Sequence, residues 1–213
     1  DCCGCYFSFS VERIMKISKY EKKMRKSIKK IAQLIGKRGL TQATRSSVSQ
    51  RLDQGRIQIS PQGIYLRQIK KKMVVTIDDQ GHPVYQKYGW QPSNDYPLHL
   101  AVYQARGDVN GIIHAHPPYL SAMGLSVDLL QTDKLPDPLH VLGKRIKIEE
   151  LSAEEADIST ALLTALTNGN VVLLPEDGVL VVGRTLDHVF EQMEEMEHAA
   201  QIYTIAKSAG FLS

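Results

Sequence analysis

GIIHAHPPY, residues 111–119, reads as a strand that ends in chemistry. Gly111, Ile112 and Ile113 open an apolar run, His114-Ala115-His116 follow, and Pro117-Pro118 stop it, because proline cannot donate to a strand ladder. Side chains alternate along a strand, so His114 and His116 point the same way. Two imidazoles converging from one face are half of a metal site. At least one further ligand must come from elsewhere in the chain.

Working outward, "NVVLLPEDGVLVVG" (170–183) reads as two buried strands around a turn, and residues 186–208 as a long final helix. "ELSAEEADISTALLTAL" is a capped amphipathic helix. Upstream of the His strand, "SNDYPLHLAVYQAR" is a helix that Ser93, Asn94 or Asp95 caps, with Pro97 in its first turn and Leu98, Val102 and Ala105 on one face. Short strands are expected at 56–60, 73–77 and 84–88, the last two joined by the turn "DDQGHP". A helix over 19–37 ends at Gly36 and Gly39, and "LTQATRSSVSQRL" after it reads as a polar, turn-rich connection. No repeat or linker divides the chain. Hairpin signals without a strict βαβ rhythm point to a single α/β domain over 15–213, with an antiparallel or mixed sheet layered by helices.

The 213 residues are 43% apolar, enough for one compact core, and no apolar run nears the roughly 20 residues that span a bilayer. Cys2, Cys3 and Cys5 are the only cysteines, which leaves no disulfide framework and suits a reducing cytoplasm. Residues 1–14 carry no secretory signal pattern and read as a poorly ordered extension. Their cysteines are too tightly spaced for a tetrahedral metal clip. Charge is uneven: residues 16–38 hold ten Lys and Arg against Glu21 alone, so this segment is +9 within a net charge of +3. Met24, Ile28, Ile31 and Ile35 form an apolar stripe there, so the expectation is a docked helix with a solvated basic face. Binding of nucleic acid or an acidic membrane is the weaker alternative.

Third-ligand candidates lie in turns. Glu176 and Asp177 sit between apolar strands, where Asp-Gly also suits a plain hairpin turn, and Asp95 is either a helix cap or a carboxylate presented at a loop end. His99 reads as a helix residue facing a neighbour or a pocket, and His188 and His198 as surface or packing residues.

"PSNDYPLHLAVYQARGDVNGIIHAHPPYLSAM" resembles the centre of the class II aldolase/adducin family, typified by fuculose-1-phosphate aldolase and ribulose-5-phosphate 4-epimerase. "GLTQATRSSVSQRLDQGRIQISPQGIYL" and "NVVLLPEDGVLVVGRTLDHVFEQMEEMEHAAQIY" extend the resemblance over roughly residues 24–208. It implies a mostly antiparallel central sheet flanked by helices, usually in a homotetramer. It also implies a divalent ion, commonly Zn²⁺ with Mn²⁺ or Fe²⁺ as options, held here by His114, His116 and Asp177. The family's third ligand is a histidine, so Asp177 is a departure. Its catalytic glutamate falls on Asp95, one methylene shorter. Its phosphate contacts fall on Ser46-Ser47 beside Arg45, on Gln62-Gly63 and on Ser93-Asn94. Ser46-Ser47 replaces a Gly-Asn pair, and the family's catalytic tyrosines have no safe counterpart.

The resemblance implies a metal-dependent lyase that cleaves or forms a carbon–carbon bond in a small sugar phosphate, with Asp95 moving the proton and Ser47, Gln62, Gly63, Ser93 and Asn94 holding the phosphate. An epimerase or dehydratase on a related sugar phosphate, using the same ion, is an alternative. Another is an adducin-like scaffold that has lost the chemistry.

Overall fold

The computed structural model describes residues 18–124, 155–167, 169–174 and 176–211. The extension 1–14, its three cysteines and the start of the helix expected in "ELSAEEADISTALLTAL" lie outside the described residues.

Helix α1 (Lys19–Arg38) begins at a reciprocal cap: Ser18 Oγ accepts from Glu21 N, and Glu21 returns its carboxylate to Ser18 N. It runs through Gly36 and stops at Gly39, whose left-handed φ of 74° suits glycine. The expected stripe is buried at Ile28, Ile31 and Ile35, while most of the lysines face solvent. Acids of the last helix answer two of the exposed cations, Lys30 to Asp187 at 2.7 Å and Arg38 to Glu194 at 2.9 Å. Arg25 is buried instead: it donates to Val74 O and Thr76 Oγ1 and lies over the Tyr85 ring.

The sheet contains β1 (Ser47–Arg51), β2 (Ile57–Ile59), β3 (Val75–Ile77), β4 (Pro83–Tyr85), β5 (Gly111–Ala115), β6 (Val171–Leu174) and β7 (Gly178–Gly183). Their order is β4-β3-β2-β1-β5-β7-β6, and every pairing is antiparallel. β4 is shorter than the expected 84–88 strand. β1 corrects the sequence reading, which made this stretch a polar connection. It is buried from Ser47 to Gln50, because its polar side chains find partners inside the protein: Ser47 and Ser49 bond His99 on one face, and Gln50 donates to Met24 O on the other.

Helices cover both faces. On one side α1, α3 (Pro118–Gly124) and α5 (Leu186–Ser208) pack on Val48, Ile113, Ala115, Val179 and Val181. On the other, α2 (Tyr96–Ala105) and α4 (Glu155–Ala165) close over a second core that includes Ile112, Leu180 and Val182. Two details depart from expectation. Pro117-Pro118 ends the strand but also starts α3, and Ala105 is exposed while His99, Val102 and Tyr103 form the buried face of α2. No helix among the described residues is long and apolar enough to cross a membrane.

Gly36 sits where α1 crosses the 66–68 turn: a Cβ there would stand 2.7 Å from Arg67 N and 2.9 Å from Arg67 Cβ. Alanine improves helix propensity by about 1 kcal/mol. Overpacking against fixed backbone costs about 1–3 kcal/mol, so Gly36→Ala is expected to destabilise the protein overall. Its urea midpoint should fall below that of the wild type; a rise would show that the crossing is loose.

Candidate active site

One end of the sheet gathers the candidate residues. The β1–β5 register sets Ser47 opposite His114, and the β5–β7 register sets His114 opposite Leu180. Ile112 and His114 therefore share the α2 face, as the two-residue period requires, and the His116 ring, one residue past the strand end, lies 5.4 Å from that of His114. The turn between β6 and β7 delivers Asp177. Here Glu176 adopts a positive φ of 65° and Gly178 one of 80°, and a Cβ on Gly178 would fall 2.2 Å from Ala115 O. Only glycine lets β7 approach the His strand this closely.

His114 is buried and bonded at both ring nitrogens, with Nδ1 3.0 Å from Asp95 Oδ2 and Nε2 2.7 Å from the Asp177 carbonyl oxygen. Both partners are acceptors, so both nitrogens donate and the ring is cationic. Burial opposes that charge, but the bond to Asp95 and the nearby carboxylates outweigh it and raise the His114 pKa. For Asp95 the balance mirrors this: burial raises its pKa, while the bond and charge of His114 pull it well below the usual carboxylate range. His116 Nε2 lies 3.4 Å from Asp177 Oδ1, and its buried Nδ1 has no hydrogen-bond partner. Asp177 Oδ1 also accepts from Arg45 Nη2 at 2.8 Å. Ligand atoms of His114, His116 and Asp177 all lie within 4.8 Å of one another. Of the two acids left open by sequence, Asp177 joins the histidines, and Glu176 is exposed on the neighbouring cleft with His116.

Asp95 occupies the cap position of α2 without making a side-chain cap bond, because its Oδ2 is taken by His114 and by Ser47 Oγ at 2.6 Å. Behind Ser47 runs a buried relay that sequence reasoning missed. Ser47 spends its one proton on Asp95, so it must accept from His99 Nε2 at 2.9 Å. His99 Nδ1 then accepts from Ser49 Oγ at 2.6 Å, and Ser49 accepts from the Tyr103 hydroxyl at 2.9 Å. Each link fixes the direction of the next, so His99 is neutral with its proton on Nε2. The available signal was a Ser-x-Ser strand opposite a His and Tyr four apart on a helix.

A cleft of about 510 Å³ opens beside this cluster. Pro61 bridges Pro92, and Ser93 N donates to Ser60 O, which sets Gln62-Gly63 next to Ser93-Asn94. Those four residues line the cleft with Thr44, Arg45, Asp95, His114 and Asp177. Ser47 does not line it; its buried hydroxyl points at Asp95. His188 and His198 are exposed on α5, remote from the cluster in the fold.

Burial lowers the His99 pKa to about 4, with Asp95 opposing and His114 assisting. An unfolded histidine titrates near 6.5, so below that pH the unfolded chain binds a proton that the folded one refuses. Stability should therefore be full above about pH 6.5 and decline toward pH 4. His99→Gln should flatten that decline in urea titrations across the same window; an unchanged slope would assign the acid sensitivity to other groups.

Residues 26–204 match the model of the Class II Aldolase and Adducin N-terminal domain. A 5-methylthioribulose-1-phosphate/5-deoxyribulose-1-phosphate aldolase of Escherichia coli is 29% identical over 176 residues, 78% of this chain and 76% of that one. A 3-oxo-tetronate 4-phosphate decarboxylase of Haemophilus influenzae is 27% identical over 170 residues, 78% of this chain and 80% of its own. Among solved structures, an aldolase II superfamily protein from Pseudomonas syringae superposes with a TM-score of 0.81 at 21% identity, covering 93% of this chain and 81% of that one, which speaks for the fold alone. With the match spanning most of the sequence and the antiparallel sheet carrying the His-Ala-His cluster at its end, the chain belongs to the class II aldolase and adducin N-terminal domain family.

Proposed function

We propose that the protein is a divalent-metal-dependent lyase that breaks or forms a carbon–carbon bond next to a carbonyl in a small sugar phosphate. The convergence of His114, His116 and Asp177 beside Asp95 and the donor-lined cleft carries this reading. The donor set fits an ion. Two imidazoles and a carboxylate suit Zn²⁺, Mn²⁺ or Fe²⁺, and the orphaned nitrogen of buried His116 marks an imidazole whose partners in the protein are incomplete. Zn²⁺ is the ion proposed first, and a homotetramer is the proposed assembly. When bound, the ion supplies Lewis-acid stabilisation of the negative charge that develops on a substrate oxygen.

The chain's own residues do the rest. Arg45, Gln62, Gly63, Ser93 and Asn94 bind the phosphate at the cleft, where side-chain and backbone donors fix its position. Ser47 is a positioning residue, not a phosphate ligand: together with His99 it holds Asp95 Oδ2. Asp95 Oδ1 accepts no hydrogen bond among the described residues and is the atom that takes and returns the substrate proton. His114 would hold the ion through Nε2, with Nδ1–H on Asp95 keeping the ring oriented.

The relatives named as an aldolase and as a decarboxylase agree with bond cleavage beside a carbonyl. Metal content per chain by mass spectrometry should be close to stoichiometric in the wild type and lost in a His114→Ala/His116→Ala double variant. A panel of ketose 1-phosphates and phosphorylated 3-oxo acids then reads the aldehyde or CO₂ released. Asp95→Asn should keep the metal and lose about 10²–10⁴ in kcat. No metal in the wild type, after incubation with Zn²⁺ or Mn²⁺, would overturn the enzyme reading in favour of a binding scaffold.

A further inference from the structure

We propose that Arg45 and Asp177 couple the two halves of the site, so that an anion in the cleft strengthens metal binding and metal strengthens anion binding. The proposal rests on the metal reading above and deepens it.

One carboxylate oxygen is shared. Asp177 Oδ1 is 2.8 Å from Arg45 Nη2 and 3.4 Å from His116 Nε2, so the oxygen that faces His116 is already paired with a guanidinium, while Oδ2 lies 3.8 Å from His114 Nε2. Arg45 is the only Lys or Arg among the described residues lining this cleft. An incoming dianion therefore competes with Asp177 for the only guanidinium at the cleft among the described residues. The guanidinium acts against an ion in two ways: it draws charge from the carboxylate, and it adds a positive charge beside a dication. An anion that turns Arg45 toward itself relieves both. The side chain is free to make that move, since Arg45 is 54% exposed and its one ion pair among the described residues is with Asp177. A neutral histidine at position 177 would recruit no guanidinium, so this coupling follows from the carboxylate that this chain carries.

Linkage makes the effect reciprocal, and coupling of this kind commonly amounts to about 5-fold or more. Solvent screening at a half-exposed arginine places the expectation at the lower end.

Mn²⁺ binding, followed by electron paramagnetic resonance, tests the proposal with sodium sulfate as the tetrahedral dianion and sodium chloride to match ionic strength. Sulfate should tighten Mn²⁺ binding to the wild type by about fivefold. Arg45→Met should bind Mn²⁺ without sulfate about as tightly as the sulfate-loaded wild type and should not respond to sulfate. Circular dichroism confirms that the variant folds. An equal sulfate response in both proteins would mean that the anion meets the ion directly, and would overturn the role of Arg45. No response in either would overturn the coupling while leaving the metal site standing. Failure of every protein to bind Mn²⁺ here, and Zn²⁺ by mass spectrometry, would overturn the metal reading itself, and the coupling with it.

Discussion

The register of β5 between β1 and β7 is the constraint on which the site depends. A slip of one residue would turn His114 toward α1 and α5 and bring Ile113 and Ala115 to the cleft side. Two close approaches pin that register. At one end Gly111 lies against the start of α5, where a Cβ would stand 2.9 Å from Leu186 Cα. At the other, Gly178 lies against Ala115 O, and the same turn carries Asp177 to the histidines. The apolar partners on either side of each histidine, Ile113 and Ala115 against Val181 and Val179, make the alternative register expensive.

Holding a carboxylate and an imidazolium in a largely apolar layer demands that each be matched. His114 and Asp95 satisfy one another, Ser47 takes a further lone pair of Asp95, and the line of donors back through His99 and Ser49 to Tyr103 leaves no member unpaired. Such a network specifies geometry more than it adds stability, since removing any one member leaves a buried partner unsatisfied at about 1–3 kcal/mol. The strand that looks least like a strand, β1, exists because this network absorbs its hydroxyls. Asp177 is held differently, at the rim, where an exposed guanidinium shares it. The rigid and the adjustable parts of the site thus lie on opposite sides of the His pair.

The charge of α1 belongs to neither part. Its apolar stripe docks on the sheet, Arg25 is used up inside, and α5 neutralises Lys30 and Arg38. What remains is a solvated cationic face, as a docked amphipathic helix requires.

Several features were determined by sequence alone, because they rest on local periodicity. The neighbouring rings of His114 and His116, the hairpin over 171–183, the docked stripe of α1 and the final helix over 186–208 all follow from spacing and punctuation. The combined order of motifs carried the family as well. What needed the tertiary structure was every question of partnership. Periodicity cannot show that Ser47 and Ser49 face His99 instead of water, so β1 read as a loop. Nor can it choose Asp177 over Glu176, since adjacent residues in a turn differ only in the φ and ψ that the strands on either side impose. It placed Ser47 at the phosphate, whereas the β1–β5 pairing turns its hydroxyl to Asp95. Hydrogen-bond satisfaction is decided between segments far apart in the chain, and only the folded register brings them together.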